Sequence, residues 1–360
     1  MNYYFHIPFC ASKCGYCAFY SIPEADRFLI DSYLDQLERT LHSCGTAETV
    51  YIGGGTPTYL SAVQLKRLFA IIRSGIDITP ETEISCEANP ESITPEKCGI
   101  LRENITRISM GVQSFDAAVR KNIGRHCSGK VLEDAITLIR SAGFPHWNMD
   151  LIFALPGQSD ESFFAGAEMA VEYGVDHISC YALTAEENAA LKLPEDDEHA
   201  AEMMPEICDF MNARGFRRYE ISNFARPGCE CRHNCNVWKG GRLAGFGPAA
   251  CGFDGTDRWS NGTLDEWLTG RTPMQDAIPH MARLQEIFAV NLRTADGWTP
   301  DMWAEVPNAD SWARRLEIIR EIAANFPAEW FDISAEHIAL TGNGMMFWNS
   351  VAGEIFDHGA

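Results

Sequence analysis

The strongest constraint on the fold is an alternation, through the first half of the chain, of short β-type runs with helix-length amphipathic stretches. The β-type runs are Tyr3 to Ile7, Thr49 to Ile52, Glu83 to Cys86, Arg107 to Met110, Trp147 to Ile152 and His177 to Tyr181. Between them, Ile30-Tyr33-Leu34-Leu37-Leu41, Leu65-Leu68-Phe69-Ile72 and Leu132-Ile136-Ile139 recur at spacings of three and four, which marks helices with one buried stripe. Parallel strands cannot be joined by tight turns and need crossover helices. Six such units predict an α/β fold, a partial (β/α)6 TIM-like barrel. In that architecture chemistry gathers at the C-terminal strand ends, and these runs finish on or just before His6, Gly53, Glu87, Gln113 and Asp150.

After Thr184 the texture changes to an acidic helical segment. A Gly- and Cys-rich stretch follows from Tyr219 to Asp254, too irregular for regular helix. From Met281 onward, patterns such as Leu284-Ile287-Phe288 and Leu316-Ile319-Ile322 lead to a strand and turn over Ile338 to Gly344. This predicts a barrel over residues 1–250 and a small, mainly helical C-terminal domain over residues 251–360. Lys plus Arg total 29 against 50 Asp plus Glu, a net charge of −21 that repels phosphate backbones and anionic lipid, so nucleic acid is excluded as the main partner. No apolar run is long enough to cross a bilayer, and Met1 to His6 lacks a basic region followed by an apolar one. The expectation is a cytoplasmic chain without an integral membrane segment. In a reducing compartment its 13 cysteines are thiols or metal ligands rather than disulfides.

Cys10, Cys14 and Cys17 lie at C-x3-C-x2-C spacing straight after the first strand, with Lys13 and Gly15 between them. Three soft sulfur ligands suit an iron–sulfur cluster or zinc; a structural zinc site needs a fourth ligand, for which His6 is the nearest candidate. A four-iron cluster held by three cysteines instead leaves one iron open to a small molecule, and the position after strand one points that way. The second signal is Tyr51-Ile52-Gly53-Gly54-Gly55-Thr56-Pro57-Thr58, where three glycines end a strand and let the backbone approach a ligand closely. A triple glycine alone is usually a tight turn; its pairing with the cysteine loop gives it weight as a site for an amino-acid head group.

Further ordered motifs are His6-Ile7-Pro8-Phe9-Cys10, Glu87-Ala88-Asn89-Pro90, Ser109-Met110-Gly111-Val112-Gln113-Ser114-Phe115, Asn148-Met149-Asp150-Leu151-Ile152, Leu155-Pro156-Gly157, Tyr219 to Ala225 and Cys231-Arg232-His233-Asn234. With them the chain resembles the radical S-adenosylmethionine (SAM) family over nearly its whole length. Within that family it is similar to the group of oxygen-independent coproporphyrinogen III oxidases and related haem chaperones. The resemblance implies a 4Fe–4S cluster on Cys10, Cys14 and Cys17 whose open iron chelates the amino and carboxylate groups of SAM. One electron then breaks the bond between sulfur and the 5′ carbon, releasing methionine and a 5′-deoxyadenosyl radical. A primary alkyl radical abstracts hydrogen from almost anything, so the cofactor must be held rigidly away from water.

Carried over motif by motif, the resemblance places Tyr4 and Tyr16 beside SAM, Gly54 against its methionyl group and Glu87 as the acid that holds this cationic ligand. Gly55, Thr56, Gln113, Arg125 and Asp150 match positions that contact SAM molecules, including a second one, in the oxidases. Phe19 stands where the oxidases carry a further cysteine, and the chain begins almost at the first strand. Both features resemble the chaperone branch, which binds haem and passes it on; coproporphyrinogen oxidation is the alternative. Haem is accordingly a candidate third ligand. His233 belongs to a motif implicated in haem binding, with Val237 in place of an aromatic residue and Cys251 where relatives often have histidine. The implied partners are haem or another tetrapyrrole, a haem-accepting protein and an electron donor. Cys229, Cys231, His233 and Cys235 alternate, with Cys251 nearby; on a strand they would share one face and could form a second metal or redox site. A plain iron–sulfur or zinc module is a third reading, and it predicts no SAM binding.

Overall fold

Each of the six β-type runs forms a strand, and each strand runs further than its apolar centre. In the computed structural model, which describes residues 1–42, 44–183, 191 and 198–358, these are β1 (Asn2–Ile7), β2 (Thr49–Gly54), β3 (Glu83–Ala88), β4 (Arg107–Gln113), β5 (His146–Phe153) and β6 (His177–Ala182). Consecutive strands pair in parallel from β1 to β6. The predicted stripes lie on helices Arg27–Thr40, Ala62–Gly75 and Gly129–Ala142, which start on side-chain caps from Asp26, Ser61 and Ser128. Ser61 and Gln64 make a full capping box.

Six further strands complete one twelve-stranded sheet: β7 (Arg217–Arg218), β8 (Asn223–Ala225), β9 (Leu243–Phe246), β10 (Cys251–Phe253), β11 (Arg258–Ser260) and β12 (Met274–Asp276). The order is β12-β11-β10-β9-β1-β2-β3-β4-β5-β6-β8-β7. β9 is parallel to β1, and the strands outside β9 and β6 are antiparallel. Among the described residues the edges β12 and β7 do not pair with each other, so the sheet is open there, as a partial barrel requires.

The two faces of this arc differ. Phe5, Ile7, Val50, Ile52, Ile84, Cys86, Ile108, Met110, Met149, Leu151, Ile178 and Cys180 are buried in one core with the helices. The alternate positions, Tyr4, Tyr51, Glu87, Ser109, Asn148, Asp150, Ser179 and Tyr181, are polar. Parallel strands covered on both faces usually read as continuous apolar runs. A polar concave face is therefore the mark of an interior shaped for a ligand.

A second core draws on Phe253 and on residues from Leu284 to Ile355, including Phe288, Trp298, Trp303, Ile319 and Val351. Arg315, fully buried there, ion-pairs with Asp310 and donates to Gln285 Oε1 at 2.6 Å. Leu264 and Trp267 belong to the first core, and β10 to β12 extend the main sheet. Two local expectations change. The turn expected after Ile338–Leu340 is a helix, Gly342–Met346, because Thr341 caps it by accepting the Gly344 amide at 3.2 Å. The stretch from Tyr219 to Asp254 is ordered into β8, helix Arg232–Trp238, β9 and β10, with Gly240 and Gly247 in the left-handed region between them. The acidic segment after Thr184 lies outside the described residues over 184–190 and 192–197; helix Glu198–Ala213 follows. Among the described residues no helix is long and apolar enough to cross a membrane.

Candidate functional site

The cysteine loop leaves β1 and is stitched to the fold by its backbone. Ile22 donates to Pro8 O at 2.6 Å, Glu24 to Cys10 O at 3.0 Å and Gly15 to Ile123 O at 3.2 Å. The glycine strip lies directly beneath it: Gly55 donates to Ile7 O and Thr56 to Phe9 O, both at 2.8 Å. A Cβ on Gly55 would sit 2.8 Å from Phe9 O and from the Pro8 carbonyl carbon, so loop and strip meet as bare backbone. We expect Gly55→Ala to push the loop away and to lower iron bound per chain at least several-fold after anaerobic reconstitution, with far-UV circular dichroism unchanged. Iron content equal to wild type would show that the close approach does not matter.

A cavity of about 360 Å³ opens at the C-terminal strand ends. Its lining includes Cys10, Cys14, Cys17, Tyr16, Gly54, Gly55, Thr56, Glu87, Gln113, Arg125 and Asp150, contributed by the loop, four strands and the chain after β4. The three thiols are free and half-buried. Burial pushes those of Cys10 and Cys17 up, partly offset at Cys10 by the Thr56 hydroxyl. Thr56 Oγ1 donates to Cys10 Sγ at 3.6 Å and Arg125 Nη1 to Cys14 Sγ at 3.9 Å. Hydrogen-bond donors and a fixed cation aimed at sulfur fit ligation as thiolates, and the buried Arg125 Nε has no partner among the described residues. The donor set thus fits a cluster held by three cysteines.

Glu87 is the centre of the opposite wall. Tyr51 OH donates to Oε1 at 2.9 Å and the Gly54 amide to Oε2 at 3.1 Å. Burial raises its carboxyl to about 7, the Asp150 charge adding to the shift and the two hydrogen bonds opposing it. Burial also raises Asp150, against hydrogen bonds from Ser179, Asn148 and Ser109. Two strained carboxyls in one cavity suit a cationic ligand. Gln113 has φ 67, left-handed for a non-glycine, at a register shift between β4 and β5, and its side chain folds over Gly111.

Asn89, within the Glu87-Ala88-Asn89-Pro90 motif, joins these parts. Arg125 Nη2 donates to Asn89 Oδ1 at 2.7 Å, and Asn89 Nδ2 donates to Thr56 Oγ1 at 2.8 Å. Asn89 therefore relays β3 to the hydroxyl on Cys10. Tyr51, Ser109 and Tyr181 also line the cavity; their signal was the polar alternation within otherwise apolar strands.

Seven expected positions fall elsewhere. Tyr4 stands beside the cavity, donating to His6 Nδ1 at 3.0 Å with its ring stacked on Tyr51. His6 is no fourth metal ligand, because its Nε2 faces Tyr20 O at 2.8 Å and both ring nitrogens are occupied. His233 lies at the other end of the sheet, buried, its Nδ1 2.7 Å from Thr49 Oγ1 and its ring against Tyr51, with burial lowering its pKa to about 3. The four additional cysteines do not converge on a strand face. Cys231 caps helix Arg232–Trp238 and its thiol contacts Glu83 at 3.7 Å, Cys235 is inside the helix, and Cys251 is exposed on β10. At helical pitch, residues two apart point to nearly opposite sides.

An open α/β arc carrying a three-cysteine loop over a glycine strip is the arrangement of a radical SAM protein, and residues 4–170 match the Radical SAM superfamily. The chain is 35% identical over 371 residues to the haem chaperone HemW of Mycobacterium tuberculosis strain H37Rv, covering 97% of this chain and 93% of that one. It is 33% identical to HemW of Lactococcus lactis subsp. lactis, covering 82% of each. The solved Escherichia coli coproporphyrinogen III oxidase, described as a radical SAM enzyme, superposes with a TM-score of 0.84 at 23% identity, over 99% of this chain and 90% of that one. The chain belongs to the HemW family of radical SAM proteins, and a 4Fe–4S cluster and SAM are its cofactors.

Proposed function

We propose that the chain is a haem chaperone: it binds haem and delivers it to a haem-accepting protein, drawing on an electron donor. The observation that carries this reading is identity of 35% to a HemW protein along 97% of the chain, extending beyond the cofactor cavity. Phe19, 68% exposed on the cavity rim where the oxidases have a cysteine, agrees with it. Likeness to the coproporphyrinogen III oxidase concerns the fold. A cytoplasmic location fits this role.

The bound cluster and SAM supply one-electron chemistry. What the chain's own residues do there is local. Cys10, Cys14 and Cys17 hold the metal, and Arg125 and Thr56 donate to the sulfurs. We assign Glu87, braced by Tyr51 and the Gly54 amide, to the cationic end of SAM, with Asp150, Gln113, Tyr16 and Gly55 as the remaining walls. Residues 251–360 are the second domain in this reading, although its first part, through β12, stays on the main sheet and the first core, where the Leu264 amide donates to Tyr20 OH in the cysteine loop region at 2.8 Å. Haem ligation by His233 requires helix Arg232–Trp238 to lift from the strand ends, because the ring is buried beneath it.

The test is a titration of haem into the anaerobically reconstituted protein beside an assay of coproporphyrinogen turnover. We expect saturable haem binding near one per chain and no turnover. Turnover without haem binding would replace this reading with the oxidase.

A further inference from the structure

At the N-terminal strand ends, opposite the cysteine loop, three side chains bring a sulfur, a nitrogen and an oxygen donor together. His146 opens β5, Asp176 immediately precedes β6, and Cys229 lies in the turn before helix Arg232–Trp238. One donor atom from each lies within 4.8 Å of the other two, and all three residues are half-buried, so the group is reachable from solvent.

The fold holds these donors in place. Asp176 Oδ1 accepts the Trp147 amide at 3.0 Å, leaving Oδ2 2.7 Å from His146 Nδ1. Arg226 donates its amide to Asp176 O and the Cys229 amide donates to Arg226 O, both at 2.9 Å, while Arg107 Nη2 donates to Cys229 O at 2.6 Å. The backbone of Cys229 is thus tied to both Asp176 and β4. Arg107 is itself paired with Glu83, 3.6 Å away, so its charge is already compensated.

We propose that His146, Asp176 and Cys229 bind a zinc ion, with water in the fourth position. Tetrahedral zinc with one thiolate, one imidazole and one carboxylate has donor separations of about 3.4–3.6 Å; the present trio reaches that by small side-chain shifts. A thiolate beside an imidazole selects against magnesium and calcium, which take oxygen ligands. On binding, the Cys229 thiol loses its proton to solvent and the imidazole proton moves from Nδ1 to Nε2. The two negative ligands then balance the ion. Such a site would cross-link the starts of β5 and β6 to the segment carrying His233, fastening the helix that closes this end of the sheet. It uses neither the cluster nor the cavity, and by fastening this helix it would oppose the lift that haem ligation by His233 requires.

The experiment uses the full chain with Cys10, Cys14 and Cys17 replaced by Ala, so that the cluster site takes no metal, and titrates it anaerobically with Co²⁺ as a coloured probe. We expect a thiolate-to-cobalt charge-transfer band saturating at one ion per chain and displaced by one Zn²⁺. Cys229→Ser should abolish the band, His146→Gln should weaken binding at least tenfold, and Cys251→Ser should change nothing. Zn²⁺ should raise the midpoint of thermal unfolding in the triplet variant and not in its Cys229→Ser derivative, which separates loss of the site from loss of the fold. Affinity should climb with pH, because the thiol proton must leave before the sulfur ligates. Absence of the charge-transfer band, or a band that survives Cys229→Ser, overturns the proposal.

Discussion

Replacing Cys10, Cys14 and Cys17 together with Ala leaves a folded chain that retains no iron–sulfur cluster. After anaerobic reconstitution the wild type should hold about four iron and four sulfide per chain, and the triple variant background amounts of both. The loss is confined to the metal because none of the three side chains belongs to either hydrophobic core. The loop's backbone anchors, such as Ile22 to Pro8 and Glu24 to Cys10, do not use the thiols. Thermal unfolding of the apo forms should therefore agree within a few degrees. The visible spectrum of the reconstituted wild type should change on adding SAM, and that of the variant should not. One zinc that the wild type holds and the triple variant lacks, with no sulfide in either, would mean that the triplet is an ordinary zinc knuckle. The SAM assignments would fall with it.

The order of elements was legible because their period is. Strand runs and helix stripes survive any reading of apolar spacing, and the apolar centres of the six expected strands lie where the pattern put them, while β9, parallel to β1, is a seventh. The strand ends were not. Every strand but β1 extends beyond its predicted C-terminal limit, β2 to Gly54, β3 to Ala88 and β4 to Gln113, since glycine and charge normally signal a loop. In these strands they signal the ligand face, and Asp150 accordingly lies within β5 rather than at its exit. Motif identity pointed to the candidate site, and eleven of the expected positions share one cavity. Asn89 escaped assignment because its role is relational: it matters only once Arg125 and Thr56 stand on either side of it. Cys229 is the converse case. Sequence proximity grouped it with Cys231 and Cys235, whereas the helix beginning at Arg232 scatters those thiols and the fold delivers His146 and Asp176 from far upstream.

Glu87→Gln should weaken SAM binding roughly tenfold to a hundredfold at pH 8, the range for losing a hydrogen bond to a charged group. It should also remove a pH dependence that the wild type shows. With the carboxyl at about 7, Glu87 is mostly ionised at pH 8 and mostly protonated at pH 6, and each pH unit below 7 costs the ionised form about 1.4 kcal/mol. Wild-type affinity for SAM should therefore fall close to tenfold between pH 8 and pH 6, while the Gln variant stays nearly flat. Stability moves the other way. A carboxyl whose pKa is raised on folding stabilises the fold fully below its unfolded value near 4.5, and that contribution is lost as pH rises through 7. The apo wild type at pH 8 thus carries a destabilising buried charge on the order of a few kcal/mol, and Gln at this position relieves it. Higher thermal stability without ligand, together with weaker SAM binding, is a combination that a merely structural Glu87 would not produce. Glu87→Gln that binds SAM as wild type does, with the same pH profile, would take this residue out of the cofactor site and leave Asp150 as the acid to examine.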